Sequence, residues 1–291
     1  MNHRSQSAGG ALRVVSGELG GVAWEVARRA ASPALSGLVA GSLQGYVERA
    51  PHPVERREFS GPRAVLIFEL GPPLAVFDRA GGGAATRFAR GFVGGLDDVF
   101  TATRHEGFQE GVQVDLTPLG ARRVFGVPMS ELTRRVVPFD ALVGPRHRDL
   151  AERLAALPSW AARFDMVEAF LLERAGGTAP DAIIAHAVSA ITRAGGLVDV
   201  RALCDHLGYS QRHVIARFRD QVGVPPKLFA RLVRFDRLVR RVRGGPGAPW
   251  ADLAAELGYC DQSHLARDVR AFMDVTPSEL ADLFVALDPL G

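Results

Sequence analysis

Two short runs of this 291-residue chain carry side chains suited to touching the edges of nucleic-acid bases. They are Arg212, Ile215, Ala216 and Arg219 in one, and Gln262, Ser263, Ala266 and Arg267 in the other. An arginine fork can pair with guanine O6 and N7, and a glutamine with adenine. Small apolar side chains let the backbone approach and can meet a thymine methyl. Spacing at i, i+3, i+4 and i+7 puts the first set on one helical face, opposite an apolar ridge of Val214, Phe218 and Val222. Leu265 and Val269 form the matching ridge in the second run. Ser210 and Gln211 stand at the start of the first helix, where N–H groups and the helix dipole favour a phosphate.

The two runs belong to a repeat. Leu207-Gly208-Tyr209-Ser210-Gln211-Arg212-His213-Val214 returns as Leu257-Gly258-Tyr259-Cys260-Asp261-Gln262-Ser263-His264-Leu265. Val224-Pro225-Pro226 is answered by Val275-Thr276-Pro277. Helix, glycine turn and helix, stated twice about 50 residues apart, is the pattern of paired helix-turn-helix units that could enter successive stretches of DNA groove. Pro225-Pro226 opens a long connecting helix to about Arg243, with Leu228, Leu232, Val239 and Val242 expected on its core stripe. His213 and His264 hold matching places. Both are expected at the buried edge of the ridge, stabilising the turn by a hydrogen bond rather than touching phosphate.

Charge supports the same region. The chain carries a formal +3, and Lys227 is its only lysine. Between Arg201 and Arg243, ten arginines and Lys227 face three aspartates, a net of +8 that suits a phosphate backbone. From Gly244 to Gly291, Arg267 and Arg270 face eight acids, a net of −6.

Residues 11–140 are expected to form a β-rich sensor or dimerisation domain. Arg63 to Leu70 is a strong strand ended by Gly71-Pro72-Pro73, and Gly111 to Leu116 alternates apolar and polar. Weaker strands are expected at Arg13 to Val15, Val22 to Val26, Leu74 to Phe77 and Gly91 to Leu96. Short strands with frequent Gly and Pro suggest a barrel or sandwich. Thr117-Pro118 opens a helix as cap and first residue. Residues 141–196 read as a helical linker region. Ser159 caps one helix that stops at Gly176-Gly177, and Pro180 begins another that stops at Gly195-Gly196. Residues 197–287 hold the repeat. The fold class is therefore α+β: a barrel-like front domain, a helical linker, and an all-α C-terminal domain. Met1 to Gly10 is polar and expected to fray.

Leu207-Gly208-Tyr209-Ser210, Arg217-Phe218, Gly223-Val224-Pro225-Pro226-Lys227, Arg234-Phe235 and Leu253-Ala254-Ala255-Glu256-Leu257-Gly258-Tyr259, with Asp261-Gln262-Ser263-His264-Leu265, resemble the DNA-binding domain of AraC/XylS-type bacterial transcription regulators. That resemblance covers roughly the last 90 residues. It implies two helix-turn-helix units joined by a linker helix, with recognition helices in adjacent major-groove segments of double-stranded DNA. It also implies RNA polymerase as a partner, and a cupin-like front domain that could bind a small-molecule effector or form a homodimer. The chain departs from the family pattern after Arg267, with Asp268-Val269-Arg270-Ala271 and then Asp274 where glycine is usual. The first unit is accordingly expected to dominate affinity.

Other chemistries find little here. Gly81-Gly82-Gly83 lacks the Gly-Lys-Ser/Thr ending of a phosphate loop, and there is no Gly-x-Ser-x-Gly elbow. His52, His105 and Glu106 lack the close spacing of a metal-binding cupin, so no metal and no cofactor are expected. Cys204 and Cys260 form no zinc set and are read as packing residues. No apolar run approaches the roughly 20 residues of a membrane span, and the chain is expected in the cytoplasm. Trp24, Phe68 and Phe92 are the residues that could line an effector site, though large aromatics more often serve as plain core. The expected function is an effector-responsive, sequence-specific regulator rather than an enzyme. The alternative is a metal-dependent barrel enzyme, or a protein-interaction module with a vestigial helix-turn-helix domain.

Overall fold

Gly20 and Gly21 both take positive φ, which a two-residue hairpin needs, and they turn β1 (Arg13–Leu19) into β2 (Val22–Ala30). The computed structural model describes residues 10–77, 84–176, 179–244 and 248–287, with side chains to residue 283. Met1 to Gly9 and the Gly81-Gly82-Gly83 run lie outside the described residues. The front half continues with β3 (Val39–Arg49), β4 (Val54–Glu58), β5 (Ala64–Glu69), β6 (Leu74–Phe77), β7 (Ala85–Phe88), β8 (Phe92–Gly94), β9 (Thr101–His105) and β10 (Phe108–Leu116). Helix α1 (Pro118–Phe125) and strand β11 (Val136–Pro138) follow.

These strands form two antiparallel sheets rather than a closed barrel. One has seven strands in the order β1-β2-β3-β10-β5-β8-β11, and the other four in the order β4-β9-β6-β7. Alternation along β5 and β10 gives the large sheet two different faces. Leu66, Phe68, Val112, Val114 and Leu116 are buried on one side in the main core. Ile67 packs on the other with Leu74, Val76, Phe88 and Phe92, between the sheets.

Helices cover the first face. Beyond the short α2 (Phe139–Leu142) and α3 (Leu150–Ala155), α4 (Trp160–Arg174) crosses the sheet. Its Ser159 cap accepts from Ala162 N. Trp160 lies flat on Gly45 of β3, where a Cβ would overlap the indole ring. Thr117 caps α1 by accepting from Gly120 N, and Gly126 ends that helix in the left-handed conformation. The next helix, α5 (Ala182–Arg193), begins two residues later than Pro180 suggests. Asp181 is its cap and accepts from Ile183 N, so the proline stays outside.

The remaining chain is α6 (Val200–His206), α7 (Gln211–Val222), α8 (Pro226–Arg243), α9 (Trp250–Glu256), α10 (Gln262–Met273) and α11 (Pro277–Leu287). Gly208 and Gly258 take matching φ values of 72° and 73°, the left-handed turn that each α6–α7 or α9–α10 corner needs. Helix α8 is buried along a wider stripe than its leucines predict, through Phe229, Leu232, Val233, Phe235, Leu238 and Val239, because both units and the front domain pack on it. Asp274 stands at φ 54° where copy one has Gly223 at φ 93°. Both donate to the carbonyl four residues back, Arg219 O and Arg270 O, at positive φ, and the aspartate's left-handed conformation is easier for glycine.

Candidate nucleic-acid interface

Both predicted reading helices present their N-terminal ends to solvent. In α7, Val214, Phe218 and Val222 are buried, while Gln211, Arg212, Ala216 and Arg219 are exposed and Ile215 is half-buried. Ser210 accepts from His213 N at 3.3 Å. In α10, Leu265, Val269 and Phe272 are buried, Gln262, Ser263 and Arg267 are exposed, and Ala266 is half-buried. Arg267 donates to its own helix at Ser263 O (3.3 Å). Each face thus offers donors and a small side chain at an exposed, capped helix start.

His213 and Cys260 differ from expectation, and His264 does not. His213 is exposed, stacked parallel to Tyr209 at 5.2 Å and within 3.3 Å of Arg217. The ridge beneath it is filled by Val214 and Phe218, which leaves no room for the ring. His264 takes the turn-holding role, with Cys260 N donating to its Nδ1 at 3.5 Å. Cys260 itself is exposed at the turn, whereas Cys204 is buried.

Asp268 does not face outward. It is buried and pairs with Arg231 (2.7 Å) and Arg234 (3.9 Å) of α8. Its charge therefore holds α10 to the linker helix. The acid that does stand at the reading end of α10 is Asp261, which caps the helix by accepting from His264 N at 2.6 Å. Copy one has neutral Ser210 there. An anionic cap compensates the helix dipole that would otherwise attract a phosphate.

The front domain contains a cavity of about 650 Å³ between the two sheets, and of its lining the sequence reading named only Phe92. Ile67, Leu74, Val76, Phe88 and Phe92 give it an apolar end. Gln44, Tyr46, Thr103, Gln109 and Gln113 line it with hydrogen-bonding groups, and α8 closes one side with Asp236, Val239, Arg240 and Arg243. Of the three aromatics expected to line an effector site, Phe92 does so. Phe68 does not: on β5 it points away from Val65 and Ile67, into the opposite core against Phe139 (5.0 Å) and Phe170 (6.2 Å). Trp24 does not either. It lies across Gly17 near the sheet edge, where a Cβ on Gly17 would sit 3.0 Å from the indole Cε2.

Polar pairs fix the cavity wall. Arg63, just before β5, bonds Asp115 of β10 at 2.9 Å and Asp236 of α8, and Asp236 also pairs with Arg240 at 2.8 Å. Arg56 and His105 converge on buried Glu48. Gly107 N donates to His105 Nδ1 (3.3 Å), and His105 Nε2 lies 3.2 Å from Glu48 Oε1. Burial opposes the Glu48 charge, but His105 and Arg56 hold its pKa below the ordinary value. Among the described residues no three His, Cys, Asp or Glu gather as a metal site.

Deeper in, Gly111 leaves space for the Tyr46 ring to cross β10 toward Glu69, 3.5 Å away. Gln109 reaches the same hydroxyl at 3.4 Å. Burial pushes the Glu69 pKa to about 8, against the lowering effect of Gln109 and Tyr46. Its Oε2 has no hydrogen-bond partner among the described residues.

Comparison with known proteins identifies the C-terminal part. Residues 203–282 match the family model described as "Helix-turn-helix domain". No protein of curated function matches the chain in sequence at a significant level. Among solved structures, the fold is similar to ToxT from Vibrio cholerae crystallised with (E)-4-(8-methylnaphthalen-1-yl)but-3-enoic acid. The TM-score is 0.50 at 8% identity, over 83% of this chain and 99% of that one. An apo point variant of ToxT from the same organism gives 0.49 at 10% identity, over 84% and 99%. ToxT bound to an unsaturated fatty acid gives 0.47 at 11%, over 84% and 96%.

Proposed function

Because residues 203–282 form an AraC-type helix-turn-helix domain, we propose that the chain is a sequence-specific regulator of transcription acting on double-stranded DNA. The observation that carries this reading is the pair of helices α7 and α10. Each is buried on one side and exposes Arg or Gln with a small residue at its N-terminal end. On this reading Arg212 and Gln262 touch bases. Ser210, Gln211 and Ser263 meet phosphate, Arg219 and Arg267 reach base or phosphate, and Ile215 and Ala216, with Ala266, admit the backbone. Such a regulator works in the cytoplasm on RNA polymerase, alone or as a homodimer, and catalyses no reaction. Among the described residues no helix is long and apolar enough to cross a membrane.

The cavity supports response to a small molecule. Its apolar end and its arginines suit an organic acid with an apolar body. Arg57 and Arg135 line it while hydrogen-bonded to carbonyl oxygens, with no carboxylate in pairing range among the described residues. The ToxT neighbour with the naphthalenyl butenoic acid carries a ligand of that class in the same fold. (E)-4-(8-methylnaphthalen-1-yl)but-3-enoic acid raises the melting temperature on this account, and the alcohol with the same carbon skeleton does so less. The principal test is selection from random duplex by the full chain. Enrichment of one sequence class is expected, and no enrichment over the starting pool contradicts the reading.

A further inference from the structure

Both reading helices are fastened to the front domain at their C-terminal ends, by an arginine in each case. On α7, Arg122 of α1 donates to Asp220 O at 3.0 Å and pairs with the Asp220 carboxylate at 3.0 Å. Gly223, just beyond, packs so closely that a Cβ there would collide with Thr133 Oγ1 and sit 3.0 Å from Met129 O. On α10, Arg57 of β4 donates to Met273 O at 2.9 Å and Asp274 O at 3.3 Å. Two residues on, Phe59 meets Phe235 edge-on at 4.9 Å and Phe272 at 5.8 Å. A cation at a helix C-terminus is favoured by the dipole, and both contacts are of that kind.

The opposite ends do the reading, so the fastenings act with leverage. A twelve-residue helix such as α7 or α10 is about 18 Å long. Tilting it by about 10° about its fixed end moves the tip by roughly 3 Å, close to the ~3.4 Å rise along the duplex axis per nucleotide of one strand. Small changes at Arg57 or Arg122 therefore shift the reading end by one base step. The two fastenings also differ. Arg57 and β4 wall the cavity, whereas α1 and residues 129–133 do not.

We propose that Arg57 and Arg122 are positioning residues, which set the spacing at which the two reading helices meet DNA. The proposal rests on the regulator reading above. Its test uses the full chain and the duplex enriched from random sequence, together with versions carrying one base pair inserted or deleted between the two protected segments. Wild type is expected to lose about tenfold in affinity on either change of spacing. Arg57→Ala narrows that difference to about twofold, Arg57→Lys keeps most of it, and Arg122→Ala narrows it as Arg57→Ala does. Arg57→Gln serves if the alanine variant does not fold, and melting temperatures are matched for every comparison. An unchanged spacing preference in Arg57→Ala, or an equal loss at every spacing, overturns the proposal alone. Failure to enrich any duplex overturns the regulator reading and this proposal with it.

Discussion

Replacing Arg63 by alanine should loosen the junction between the sheets and the linker helix. The side chain is 18% exposed, and its guanidinium holds two carboxylates, one on β10 and one on α8. A hydrogen bond to a charged group contributes about 1.5–3 kcal/mol, which would give up to about 6 kcal/mol for both. Arg240 remains on Asp236 at 2.8 Å, so that acid keeps one partner. The side chain also borders the cavity, where water can take the vacated space. The expected loss is therefore about 2–4 kcal/mol, at the lower edge of what breaking a buried pair costs. Adding Asp236→Asn should recover part of it, with a coupling of at least about 1 kcal/mol in a double-mutant cycle. Urea unfolding reads this through two probes. Tryptophan fluorescence reports mainly on Trp24 and Trp160 beside the sheets, and far-UV circular dichroism mainly on the helices. The variant's two transitions should separate, with the wild type's coincident. A shift below about 1 kcal/mol with coincident transitions would refute the view that this junction couples the halves.

Other expectations follow from single side chains. Arg212→Ala should cost about 1–3 kcal/mol of DNA binding and relax base choice at one position, whereas Arg267→Ala should cost less; binding isotherms on the selected duplex and its point variants decide both. Asp261→Ser removes an anion from the reading end of α10 yet keeps a competent cap, so affinity should rise severalfold at unchanged stability, and a fall would contradict the phosphate argument. Glu69 has its folded pKa raised from 4.5 to about 8, so the folded state retains a proton that the unfolded state gives up. Stability should then fall as pH rises from about 4.5 to about 8, by on the order of a few kcal/mol. Glu69→Gln should flatten that slope and melt higher at pH 8, and a parallel slope in the two proteins would exclude the assignment.

What could be read from the sequence followed from where geometry demands a particular residue. Gly208 and Gly258 mark the two corners because a left-handed turn favours glycine. Ser159, Thr117 and Ser210 announced their helices because a cap needs a short side chain that can accept a hydrogen bond. Strand β3 was hidden for a related reason. Gly45 is small so that Trp160 can lie on it, and the glycine dilutes the strand pattern. Strand β4 reads Val-Glu-Arg-Arg-Glu, polar on both faces, since one side serves the cavity. The cavity's polar wall was hidden for the same reason. Gln109, Gln113 and Asp115 alternate with buried valines and leucine like the wet face of a strand, and only the second sheet turns that face inward. Asp268 shows the converse: it departs from the family pattern in sequence, and it is buried beneath two arginines of α8.

The most direct test is a hydroxyl-radical footprint of the full chain on the duplex it selects. The account predicts two protected segments whose centres lie about one helical turn, or 10–10.5 base pairs, apart. Arg212→Ala should weaken one segment and Gln262→Ala the other. A single protected segment insensitive to either substitution, or protection that spreads evenly along any sequence, would contradict the reading of α7 and α10 as two base-reading helices.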